Sequence, residues 1–116
     1  MAADHITIRP AGERLKLEVD GVTLADSGQA LILIEGSYPP VIYVPRGDVA
    51  MDWLRPHDRR TYCPWKGEAA HFSALLPERA VEIAAWSYEA PLPGMEAIAG
   101  HIAFYLTHLH AGFTAA

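Results

Sequence analysis

Arg14–Asp26 reads Arg-Leu-Lys-Leu-Glu-Val-Asp-Gly-Val-Thr-Leu-Ala-Asp. Leu15, Leu17 and Val19 alternate with Arg14, Lys16 and Glu18, a period of two that puts the apolar side chains on one face of a strand and the charged ones in water. Asp20-Gly21 follows, a dipeptide that tolerates the positive φ values of a tight hairpin turn, and Val22–Asp26 runs back as the partner strand. A half-wet antiparallel ribbon of this kind predicts a mainly β domain.

On the N-terminal side, Ile6 and Ile8 alternate with polar neighbours as a further strand, stopped by Pro10 and Gly12; Met1–Asp4 is expected to be a loose end. On the C-terminal side, Ser27-Gly28 turns the chain into Ala30–Ile34. Its unbroken Ala-Leu-Ile-Leu-Ile run predicts a strand covered on both faces, at the centre of the core. Glu35 closes it, Gly-Ser-Tyr-Pro-Pro cannot continue a ladder, and Val41–Val44 returns as another apolar strand. Pro45-Arg46-Gly47 then breaks the chain. Asp48, with Val49, Met51, Trp53 and Leu54 behind it, reads as the N-cap of one short helix near 48–54, ended by Arg55-Pro56. His57–Arg60 reads as a polar loop, with Arg59-Arg60 solvated.

Thr61–Pro64 and Gly67–Leu75 read as extended pieces about a turn at Trp65-Lys66-Gly67, and Pro77-Glu78 turns again. In Val81–Tyr88, Val81, Ile83 and Ala85 share one face, Trp86 and Tyr88 the other. The Glu78–Trp86 segment also suits helix propensity, but the aromatic pair and the following Pro91 and Pro93 favour a strand. Met95–Gly100 suits a helical turn and His101–Leu106 a closing strand; the tail from Thr107 is ambiguous.

The composition bounds the function. One domain accommodates 116 residues, and 51% hydrophobic content suits a packed core. Nine Lys plus Arg against fourteen Asp plus Glu give a net charge of -5, so there is no basic footprint for nucleic acid. The single cysteine forms no internal disulfide and completes no cysteine-based zinc site, which suits a reducing compartment. Met1–Pro10 lacks the apolar core of a signal peptide, and no run approaches the ~20 apolar residues needed to cross a bilayer. The expectation is a cytoplasmic protein with neither a membrane nor a nucleic acid partner.

Chemistry-bearing residues concentrate in Thr61–Ser73, which holds the only cysteine, a tryptophan and one of two lysines. Lys66, in a tight turn between Trp65 and Gly67, is either a surface lysine or a desolvated amine that holds an anionic ligand. Glu35, at the end of an apolar run, either ends a strand with an Arg partner or lies at the rim of the core, where desolvation would raise its pKa. Asp48 is a second carboxylate with an N-cap as its simpler role. Cys63 is a small core residue, or a nucleophile if Lys66 or His71 stabilises its thiolate. Tyr43, Trp65, Trp86 and Tyr88 either pack in the core or wall a pocket. His108 and His110 would share a strand face with no third ligand, so no metal site is expected. No motif calls for a cofactor.

Asp26-Ser with Glu35, Tyr43-Val-Pro with Asp48, Cys63-Pro-Trp-Lys-Gly, Trp86-Ser-Tyr-Glu-Ala-Pro and Ile102-Ala-Phe-Tyr stand in the order found in the family called domain of unknown function 427. The chain resembles that family over roughly Arg14 to Tyr105. The resemblance implies a β-tent, Mss4-like fold of two antiparallel sheets packed at an angle, and places Lys66 in a shared motif. Relatives with that fold carry a zinc pin of two Cys-x-x-Cys pairs, which a single cysteine does not carry over. Some family members bear a nucleotidyltransferase label, yet no paired carboxylates near a Gly-Ser stand ready for metal here.

These readings converge on a small β domain binding a small polar or anionic molecule where Glu35, Tyr43, Asp48, Lys66 and Tyr88 meet. One alternative is an enzyme with Glu35 as acid or base and Lys66 as electrophile, or with Cys63 as thiol nucleophile. The other is a homodimeric interaction domain built on an exposed β edge.

Overall fold

Ile6–Pro10 forms β1, Leu15–Val19 β2 and Val22–Ser27 β3 in a computed structural model that describes residues 5–116; the expected loose end at Met1–Asp4 lies outside them. The hairpin is as the alternation predicts. Leu15, Leu17 and Val19 are buried, Glu18 is exposed, and Asp20 (φ 53°) and Gly21 (φ 82°) supply the two left-handed residues of the turn.

The remaining strands are β4 (Leu31–Glu35), β5 (Val41–Tyr43), β6 (Leu54–Cys63), β7 (Gly67–Leu75), β8 (Ala80–Ser87), β9 (Ala103–Phe104) and β10 (Phe113–Ala115). They form three antiparallel sheets among the described residues, ordered β1-β4-β5, β10-β2-β3 and β6-β7-β8-β9. The strands thus divide into three sheets where two were expected, because the turn after Ser27 carries the chain out of the β2 ladder into that of β1.

The expected helix over 48–54 is replaced by two short 3-10 turns, Arg46–Asp48 and Met51–Trp53. Val49 between them is extended (φ -108°, ψ 137°) and bridges Ala25, while the Ala50 N–H donates to the Leu24 carbonyl at 2.8 Å. Pairing with β3 therefore outcompetes a continuous helix. Asp48 is accordingly not an N-cap; it ends the first turn and accepts a 2.6 Å hydrogen bond from the buried Ser27 hydroxyl.

His57–Arg60 is not a loop either. It is the bulged middle of β6, where the Arg59 N–H donates to His57 Nδ1 at 2.9 Å and β7 supplies the ladder on either side. The run Ala30–Ile34 is a strand but not the centre of the core. Ala30 and Leu33 are buried, whereas Leu31, Ile32 and Ile34 are half-buried, since β4 centres a sheet of only three strands. Ala80–Ser87 is a strand, as the aromatic pair indicated. The closing strand is only Ala103–Phe104; α1 (Leu106–Leu109) follows, ended by His110 in the left-handed conformation (φ 55°). His108 and His110 therefore do not share a strand face.

Two buried clusters hold the sheets together. Leu17, Leu24, Phe72, Ala74, Ala84 and Ile102 belong to the larger one, which joins β2 and β3 to β7 and β8. The smaller contains Leu33, Tyr43, Ala69, Tyr88, Ile98 and Ala103 and seats the β1-β4-β5 sheet on β7–β9. Alanines at the contact let strands approach closely, and full burial of such side chains contributes roughly 25 cal/mol per Å² of apolar surface.

Candidate functional site

The smaller cluster stops short of filling the space between β4–β5 and β6–β8, leaving an open cleft of about 580 Å³. One wall is Glu35 at the end of β4, then Tyr38, Pro39 and Pro40 of the connection, then Val41 and Tyr43 of β5. Facing it are Thr61 and Cys63 of β6, Lys66 of the β6–β7 turn, Trp86, Tyr88 and Tyr105.

Lys66 is directed inward by its turn. Cys63 pairs with Gly67 to close the hairpin, and the Leu92 N–H donates to the Lys66 carbonyl at 2.9 Å. Gly67 has φ +108°, and a Cβ there would meet Leu92 atoms at 3.4 Å, so the position requires glycine. The side chain that results is buried, with Nζ donating to Glu35 Oε1 at 2.7 Å and to Cys63 Sγ at 3.5 Å. His5 Nε2 lies 3.5 Å from the other Glu35 oxygen.

The hydrogen bond from Lys66 outweighs burial and holds the Glu35 carboxyl below its ordinary 4.5. Desolvation alone would have raised it, as the sequence suggested; the partner it could not see reverses the sign. The lysine is thus neither a surface turn residue nor a free cation.

The aromatic residues are arranged by a second network. Trp86 Nε1–H donates to Tyr43 Oη at 3.4 Å, and its indole leans on the Tyr105 ring with centroids 4.5 Å apart. Burial pushes the Tyr43 and Tyr88 phenols far above their ordinary range, so both present neutral hydroxyls. Tyr105 is anchored from behind by His71, only 1% exposed. His71 Nδ1 lies 3.2 Å from the Arg59 carbonyl, which can only accept, so Nδ1 carries the proton; Nε2 then accepts from the Tyr105 hydroxyl at 3.0 Å. Burial lowers the His71 pKa and keeps the ring neutral, consistent with that tautomer. Tyr105, its own proton committed to His71, can offer only acceptor capacity elsewhere.

Glu35, Tyr43, Cys63, Lys66, Trp86 and Tyr88 are brought together. Asp48 and Trp65 are not. Asp48 is held by Ser27 beside β3, and Trp65, 38% exposed, turns outward to meet the His5 ring edge-on at 4.9 Å. Sequence reasoning missed Tyr38, Pro39, Pro40, Thr61 and Tyr105 as cleft residues. The two prolines were legible only as a strand breaker, and Tyr105 only as the end of a motif. Among the described residues no three His, Cys, Asp or Glu side chains come together to hold a metal ion, and no helix is long and apolar enough to cross a membrane.

Fold and site together define a small antiparallel β domain with an open cleft that joins aromatic hydroxyls to a buried lysine and its partly exposed glutamate partner. The chain belongs to the family described as Domain of unknown function (DUF427), whose model matches residues 7–114. No curated protein matches it.

Proposed function

We propose that the cleft binds a small polar molecule, with Lys66 donating to an acceptor atom of the ligand and the aromatic walls covering its flat or apolar part. The observation that carries this reading is the 2.7 Å Lys66–Glu35 pair, buried on the lysine side yet facing an open cleft. Burying such a pair costs several kcal/mol of desolvation per ion by typical estimates, and its retention is weak evidence for stability. A concave, largely aromatic site with a few convergent polar groups is the usual form of a ligand pocket. Because Glu35 neutralises Lys66, a neutral polar ligand or one carrying both donor and acceptor is better supported than a free anion, which would have to displace the carboxylate.

A second reading, thiol chemistry at Cys63, rests on the 3.5 Å contact with Lys66 Nζ. Rapid alkylation near neutral pH that slows in Lys66→Met would favour it. Glu35 as a general acid near neutral pH has less support, since its lowered pKa leaves it ionised. A homodimer along the β6 edge also has less: that strand carries Arg55, Pro56, Arg59, Arg60 and a bulge, all features that obstruct strand addition. The free thiol supports a reducing, cytoplasmic setting.

The test is a thermal-shift screen of nucleotides, sugars, aldehydes and organic acids, beside native mass spectrometry of gently purified protein. A ligand at 100 times its dissociation constant stabilises by about 2.7 kcal/mol. We expect a shift in wild type that is lost in a folded Lys66→Met variant. No retained mass and no shift in any class would sink the proposal.

A further inference from the structure

Pro40, Val41, Trp86 and Tyr105 line the cleft and also a second depression of about 230 Å³. Beyond that shared ridge the second depression is walled by Ile42, Phe104, Leu106 and Phe113, with Thr107 at its exposed margin and, among the described residues, no charged side chain in its lining. Ile42, Leu106 and Phe113 are only half-buried, so an apolar surface stands open beside an ionic one. Water there finds few polar partners, and a ligand group that displaces it gains the free energy of apolar burial.

We propose that the ligand is amphiphilic. Its compact head carries a donor and an acceptor, meeting Glu35 and Lys66 respectively, and its short alkyl or aryl tail crosses the Trp86–Tyr105 ridge into the Ile42–Phe113 groove. The inference rests on the cleft being a ligand site and adds the class of molecule. The head is uncharged because the Lys66–Glu35 pair carries no net charge to compensate. The tail is short because the groove has about two-fifths of the cleft's volume, 230 against 580 Å³.

The probe is a series of primary n-alkyl amides from propanamide to octanamide, titrated calorimetrically into the full chain. The amide carbonyl accepts from Lys66 and the amide N–H donates to Glu35. Affinity is expected to rise on the order of threefold per added methylene and then level off once the groove is filled. Thr107→Trp, which fills the groove from an exposed position, should abolish that dependence while leaving the shortest amide unaffected. Lys66→Met should weaken every member by a similar factor.

Length-independent binding would overturn the amphiphile and leave the polar-ligand reading standing. Absence of binding by every amide would also overturn it, with the cleft itself still judged by the separate screen. A concentration-dependent dimer that Thr107→Trp dissociates would assign the groove to a second copy of the chain and equally overturn the proposal.

Discussion

Lys66 Nζ and Glu35 Oε1 stand 2.7 Å apart across 31 positions of sequence, tying the β6–β7 turn to the end of β4 and hence one sheet to another. Removing either partner leaves the other charge without its counterion. Glu35→Gln and Lys66→Met are each expected to cost about 1–3 kcal/mol of unfolding free energy, below the range for a fully buried pair because Glu35 retains some solvent contact. The double variant should cost less than the sum. Urea denaturation of the four proteins checks this, and strictly additive costs would show that the two residues are not coupled.

The same pair sets a pH dependence. The Glu35 pKa is lower in the folded chain than its ordinary 4.5, so the unfolded chain takes up the proton first as pH falls. The stability this group contributes is complete above 4.5 and is lost as pH drops below that value through the folded pKa. Wild type and Glu35→Gln should therefore converge in stability below pH 4.5, whereas a gap that widens on acidification would contradict the assignment.

His71 acts in the same direction at higher pH, although here it is the neutral form that the fold favours. Burial lowers its pKa from 6.5, so the folded imidazole resists protonation, and its contribution is complete above pH 6.5 and declines as pH falls towards the folded value. Nitrogen-15 spectra should show Nδ1 protonated and Nε2 bare at neutral pH. Tyr105→Phe removes the donor to Nε2 and should cost about 1–3 kcal/mol, the range for an unsatisfied buried polar atom. Equal protonation of the two nitrogens would refute the assigned tautomer and with it the direction of the Tyr105 hydrogen bond.

Ser27 and Asp48 have a structural task. The Ser27 hydroxyl donates to Asp48 at 2.6 Å and accepts from the Gln29 N–H at 3.0 Å, in a site where Ser27 is fully buried. Ser27→Ala should lower stability by about 1–3 kcal/mol without changing affinity for any ligand of the cleft. A selective loss of affinity at unchanged stability would return Asp48 to the site.

Gly67→Ala tests how Lys66 is aimed. With φ at +108° and Leu92 3.4 Å from the new methyl, the substitution should destabilise by about 1–3 kcal/mol. Comparison of its Tm with wild type is the measurement, and an unchanged Tm would mean the turn relaxes freely.

Much of the fold was legible because local physics and tertiary structure agreed. The alternation in Arg14–Val19, the Asp20-Gly21 turn and the aromatic strand at Val81–Tyr88 all carry their conformation in neighbouring residues. Reading failed where a distant partner changed the outcome. Val49 follows a residue that suits an N-cap and precedes further apolar residues at helical spacing, yet Ala25 offers it a bridge. The polar residues of His57–Arg60 suit a loop until β7 provides a ladder.

Sequence by itself determined the mainly antiparallel β class, the hairpin about Asp20-Gly21 and the motif residues, since side-chain periodicity and turn chemistry act over a few residues. It also singled out Glu35, Tyr43, Cys63, Lys66, Trp86 and Tyr88. Only tertiary structure decided that Lys66 is buried against Glu35, that Asp48 and Trp65 face elsewhere, and that Tyr105 completes the wall. Those facts depend on which strands meet across the space between sheets. Charge pairing and desolvation depend on separation through space, which separation along the chain does not reveal.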